Sequence, residues 1–75
     1  MNSKFEFIDT PVSIRMEKVF SEIDLPSMAQ IEHVMIAIAL YRADGVIEKA
    51  ARNLGVDRKT IYRKIREPGS LIRLK

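Results

Sequence analysis

Residues 50–65 read Ala50-Ala51-Arg52-Asn53-Leu54-Gly55-Val56-Asp57-Arg58-Lys59-Thr60-Ile61-Tyr62-Arg63-Lys64-Ile65, and this stretch decides the fold. A short helix is implied from Ile47 to Leu54. It stops at Gly55, which takes the left-handed backbone other residues avoid. Asp57 then caps a further helix from Arg58 to Glu67, whose Ile61 and Ile65 repeat at i, i+4 as an inward face, and Pro68-Gly69 ends it. Two short helices joined by a tight glycine-containing turn form a helix-turn-helix over 46–67. The small Ala50-Ala51 pair lets the second helix cross close to the first, and Val56 with Ile61 fills the wedge between them. The same shape also serves as plain helical packing.

The outward face of the last helix bears on that choice. A 100° step per residue places Lys59, Arg63 and Arg66 opposite Ile61 and Ile65, with Arg58, Thr60, Tyr62 and Lys64 at the flanks. This face is cationic and nearly free of acid, with Glu67 at its far end, whereas a merely solvated helix mixes signs. A helix entering the major groove needs arginines that fork onto guanine and short polar residues for other edges or phosphates. The charge of the whole chain agrees. Residues 1–41 hold three basic and six acidic side chains, and residues 42–75 hold ten basic and four acidic, so a net +3 conceals a strongly basic C-terminal half.

Upstream, Thr10-Pro11 reads as an N-cap with proline at the first helical position, and Val12, Met16, Val19 and Ile23 repeat at helical spacing to about residue 24. After Leu25-Pro26, Ser27 and Gln30 have capping-box spacing, opening a second helix that Gly45 closes. This helix is apolar nearly all round: Met28, Ile31, Met35 and Ile38 form one stripe, and Val34, Ile36, Leu40 and Tyr41 cover most of the rest. Such a helix must be buried nearly all round. A short chain has little to cover it with, so a symmetric partner on the stripe of Met28, Ile31, Met35 and Ile38 is the expected solution. At the ends, Lys4 to Ile8 suits a short strand, and Leu71, Ile72 and Leu74 either extend the core or pair with Phe5 and Phe7 as a strand.

Composition excludes several classes. Apolar residues at 47% and charged residues at 31% argue against intrinsic disorder. With no cysteine and one histidine there is no disulfide and no plausible zinc or iron ligand set. The longest apolar run, Val34 to Tyr41, is far short of the ~20 residues of a membrane span, and no secretory segment follows Met1, so a cytoplasmic, nucleoid-associated protein is expected. His33 has no companion ligand and is expected on the helix surface or at an interface. Ser21, Ser27 and Ser70 have no partnered base, and no phosphate-binding glycine loop occurs, so no enzyme and no cofactor are expected.

From Ile36 to Gly69 the chain resembles the Fis-type DNA-binding domain, found in the factor for inversion stimulation and at the C-terminus of nitrogen-regulator-C-type enhancer-binding activators. The carrying residues are Ala39-Leu40, Gly45, Ala50-Ala51, Leu54-Gly55-Val56, Arg58, Thr60-Ile61-Tyr62-Arg63-Lys64-Ile65 and Gly69. The resemblance implies a homodimer whose first two helices build a four-helix core and whose recognition helices enter successive major grooves. It carries base contacts to Arg58, Thr60 and Arg63. Asp57 stands where many members have a neutral residue, and Pro68 where an aromatic is common.

The expectation is an all-α, four-helix domain over 1–75, with dimerisation helices at 11–45, a helix-turn-helix at 46–67 and a tail at 68–75. It binds double-stranded DNA as a small bacterial-type transcription regulator. Arg58, Thr60 and Arg63 are assigned to base edges, and Lys59, Tyr62, Lys64 and Arg66 to phosphates. The alternative is a protein-interaction module, an antirepressor or antitoxin-like subunit, using the N-terminal half and the two-faced helix. A third reading joins both, with a protein partner at the N-terminal region and DNA at the C-terminal helices.

Overall fold

Thr10 and Ser13 open the first helix reciprocally. The Thr10 hydroxyl accepts from the Ser13 amide at 3.0 Å, and Ser13 Oγ accepts from the Thr10 amide at 2.7 Å. Pro11 follows at the first helical position, where an amide would have no partner anyway. The computed structural model describes residues 6–73 and places α1 at Pro11–Phe20. The helix ends before the expected residue 24. Ser21 Oγ donates back to the Lys18 carbonyl at 2.9 Å, the Ile23 amide closes a turn on the Phe20 carbonyl, and Pro26 drives Leu25 out of the helical region.

The second capping box forms as its spacing predicts: Gln30 donates its amide to Ser27 Oγ at 3.1 Å, and Ser27 donates its own to Gln30 Oε1 at 2.9 Å. It opens α2, Met28–Arg42. Asp44 and Gly45 both take positive φ, 52° and 81°, which turns the chain so that the Gly45 amide reaches the Leu40 carbonyl at 2.8 Å and satisfies a terminal acceptor. α3 then runs Ile47–Leu54 and α4 Arg58–Arg66.

Gly55, at φ 71°, ends α3 and brings the Val56 amide onto the Ala51 carbonyl at 3.0 Å. A Cβ there meets nothing within 4 Å, so the cost of a side chain is conformational alone. Gly55→Ala is expected to lower stability by about 1 kcal/mol, and Gly55→Asn by less, as read from urea denaturation. An alanine variant as stable as the wild type would mean that the turn is not held in this geometry.

Packing follows from three helices only. Along α2, His33, Ile36, Leu40 and Ala43 recur at one face and are buried, as is Ala39. Ala50 and Ala51 of α3 meet this face, and their short side chains leave room for Ile61 of α4, which is completely buried among them. Ile47, Leu54, Ile65 and Ile72 close the cluster. Helix α1 adds nothing to this core: none of its residues is buried and it packs on no other helix among the described residues. Val12 and Val19 are 71% and 61% exposed, so the apolar stripe that a dimer core would use lies open.

The terminal strands do not form among the described residues. Glu6 to Asp9 is irregular, and Lys4, Phe5 and Leu74 lie outside the described residues. Ile72 resolves the choice for the tail by packing on the helical core, while Ser70 Oγ accepts from the Ile72 amide at 3.2 Å and bends the chain there. Phe7 remains exposed and shares a shallow hollow with Ile14 and Lys18.

Candidate nucleic-acid interface

Ile61 sets the rotation of α4. Asp57 Oδ1 accepts from the Lys59 amide at 2.8 Å and fixes where the helix starts, and burial of Ile61 then fixes which side faces out. At 100° per residue Lys59, Tyr62, Arg63 and Arg66 share the opposite side, and all four are exposed. With Glu67 they line one open hollow along the helix. Five of the nine residues of α4 are cationic and none is acidic. A solvated cationic ridge of this kind, one helix wide, presents arginine forks and an aromatic hydroxyl to whatever lies against it.

The flanks behave differently. Arg58 leans towards α3, and its guanidinium donates to Glu48 Oε1 at 2.9 Å. Both side chains of this pair are more than half exposed, so the pair contributes under about 1 kcal/mol, and Arg58 is free to exchange it for another anion. Lys64 leans towards α2. Its ammonium lies 2.9 Å from Glu32 and 3.6 Å from Glu67, with the side chain only 14% exposed. The hydrogen bond to Glu32 holds this lysine above its ordinary titration range, despite partial desolvation that opposes it. Thr60 is half-buried in a small apolar hollow beside Ile31, Met35, Leu54 and Val56.

The seven residues assigned to DNA therefore divide. Lys59, Tyr62, Arg63 and Arg66 form the outer face and Arg58 its edge, whereas Thr60 and Lys64 turn towards the body. Lys64 is the departure from expectation, for it ties α4 to α2 instead of flanking the outer face. Its partner Glu32 was the residue that sequence reasoning passed over, and no local pattern in α4 points to it. His33, expected on the helix surface or at an interface, is not on the surface: it is 2% exposed where α2 meets the end of α4, with Nε2 lying 3.5 Å from Glu67 Oε1. Its place in the series 33, 36, 40, 43 held that information, since the same series carries the buried face of α2.

The stripe of Met28, Ile31, Met35 and Ile38 runs beside the packed face of α2, with Ile31 and Met35 bordering the hollow at Thr60 and Ile38 bordering Asn53 and Leu54 of α3. Met28 is well exposed, Met35 and Ile38 are about 40% exposed and Ile31 is half-buried. Among the described residues no group of His, Cys, Asp and Glu could hold a metal ion, and no helix is long and apolar enough to cross a membrane.

Two helices of 8 and 9 residues, joined by a turn through a left-handed glycine and backed by a third helix, make a helix-turn-helix with a basic second member. The family of Fis-type bacterial regulatory proteins has a sequence model that matches residues 27–67, from the cap of α2 to the last turn of α4. The chain belongs to the Fis family. Its matched region spans α2, α3 and α4, the same three helices that share the core, and leaves α1 outside. Membership makes this a DNA-binding regulator domain, with α4 in the position of the recognition helix. No curated protein and no solved structure matches the chain.

Proposed function

We propose that the chain regulates transcription as a homodimer bound to double-stranded DNA, with α4 of each protomer in a major groove. The observation that carries this reading is the acid-free outer face of α4, turned outward by the burial of Ile61. B-DNA presents a groove wide enough for one helix, lined on both walls by phosphate. Arg63, in the middle of that face, and Arg58, at the exposed edge of the first turn, are within the part of a recognition helix that meets base edges. Lys59, Tyr62 and Arg66 contact phosphates. Lys64 keeps its ion pairs with Glu32 and Glu67 and serves to hold the helix, and Thr60 reaches a base edge only from the side nearest α2.

Dimerisation is proposed through the exposed stripe of α2, joined by the unpaired apolar stripe of α1. The α1 stripe packs on no other described helix and much of the α2 stripe is exposed, and together they supply apolar area from which a chain of this size gains stability by association. A two-fold dimer would also present its two recognition helices to one face of the duplex. On this reading the protein acts on the bacterial chromosome without chemistry of its own.

Arg63→Ala tests the assignment. If Arg63 forks onto guanine, its loss weakens binding by about 1–3 kcal/mol and flattens the preference between duplex sequences. If it contacts phosphate, the loss is uniform across sequences and the dependence of affinity on salt becomes shallower by about one unit on a log–log plot. Fluorescence anisotropy with a panel of labelled duplexes at ~50 and ~200 mM salt separates the two. An alanine variant that binds every duplex as the wild type does would remove the outer face of α4 from the interface.

A further inference from the structure

His33 is the only histidine of the chain, it is buried, and its Nε2 has no hydrogen-bond partner; neither has Oε1 of Glu67, 3.5 Å away. The two atoms face each other across the junction between α2 and the C-terminal end of α4. Around them lies a closed set of charges. Glu67 also lies 3.6 Å from Lys64, and Lys64 2.9 Å from Glu32, the residue before His33 on α2. From α3 the carboxylate of Glu48 is turned to Arg58, and Lys49 and Arg52 are exposed. With a doubly protonated imidazole the four groups His33, Glu67, Lys64 and Glu32 sum to zero; with a neutral imidazole they hold one uncompensated negative charge next to the recognition helix.

We infer that His33 and Glu67 are positioning residues for α4 and make DNA binding depend on pH across the imidazole range, an inference that rests on the proposed DNA contact of α4. Two effects act in one direction. The ionic pair fixes the end of α4 to α2 and so holds the outer face ready for the groove, which removes an ordering cost from binding. The excess negative charge left when the imidazole loses its proton lies beside a helix that must approach phosphate, and in a partly desolvated site it is poorly screened. Protonation of the imidazole makes the pair ionic and its loss leaves Glu67 without a counter-charge there, so affinity falls with rising pH.

The test is the affinity for a labelled mixed-sequence duplex between about pH 5.5 and 8 at constant ionic strength, for wild type, His33→Gln and Glu67→Gln. No other side chain of this chain ordinarily titrates in that window, and any contribution of the α-amino group persists in the variants. Wild type is expected to bind on the order of fivefold more tightly at the acid end, His33→Gln to show a flat profile, and Glu67→Gln, which keeps the imidazole but not its ionic partner, a shallower one. A role in folding alone would lower the affinity of the variants equally at every pH. A flat wild-type profile, a slope that survives in His33→Gln, or one that is undiminished in Glu67→Gln, overturns the inference.

Thermal unfolding of the free protein supplies a readout that needs no DNA. Wild type should exceed Glu67→Gln in Tm by more at the acid end than at the alkaline end; a difference that is constant with pH overturns the pair even if no duplex binds. Absence of binding at every pH counts instead against the DNA contact itself. Glu67→Gln keeps size and an amide acceptor at an only partly buried side chain, so it serves where His33→Gln fails to fold.

Discussion

Ile61→Ala is expected to destabilise the protein by about 2–5 kcal/mol, about half of the stability available to it. At ~0.05–0.15 kcal/mol per residue a chain of this length holds on the order of 4–11 kcal/mol. Among the described residues Ile61 is the one large side chain that is completely buried, and the short alanines of its cluster, Ala39, Ala43, Ala50 and Ala51, fill little of the space it leaves. Nothing from α1 closes over it. The substitution acts on function as well, because the same side chain fixes which face of α4 looks outward. Far-ultraviolet circular dichroism with urea should show the midpoint falling to about half that of the wild type, while Ile61→Val costs only about 0.5–1.5 kcal/mol and keeps DNA binding. A loss below that of the valine variant would show that the three helices do not share this core.

The second large effect is expected from Ile38→Asp. Ile38 is 40% exposed at the edge of α3 and outside the core cluster, so the substitution leaves the shared core of α2, α3 and α4 in place. In the proposed dimer it places a carboxylate in an apolar contact, where an unpaired charge costs several kcal/mol. Sedimentation should then report a monomer. DNA affinity should fall by roughly 10²–10⁴-fold, because each half-site is held alone and the effective concentration supplied by the partner is lost. A wild-type protein that is monomeric at tens of micromolar would contradict the proposed interface. So would an aspartate variant that sediments and binds as the wild type does.

The helices and their ends were largely legible in the residues because they depend on local chemistry. Two reciprocal side-chain caps, at Thr10 with Ser13 and at Ser27 with Gln30, and the left-handed Gly55 act within a few residues of where they stand. The outer face of α4 was legible for the same reason, since two isoleucines four apart determine which residues lie opposite. What escaped depends on contacts between helices. Lys64 is cationic in sequence and reads as a phosphate ligand; only the approach of α2 brings Glu32 to it. His33 reads as a surface residue because its type is polar, yet its register buries it against Glu67, a residue thirty-four positions away. For α1, periodicity revealed an apolar stripe but could not say that no other described helix packs on it.

The most direct test of the account follows amide resonances of the labelled protein as an unlabelled duplex is added. The account predicts that the largest shifts fall on residues 58–66, led by Lys59, Tyr62 and Arg63, with further broadening at Arg66, and that residues 12–23 are nearly unmoved. Shifts concentrated on α1 and the stripe of α2, with α4 unchanged, would contradict it and would make the N-terminal half the binding surface.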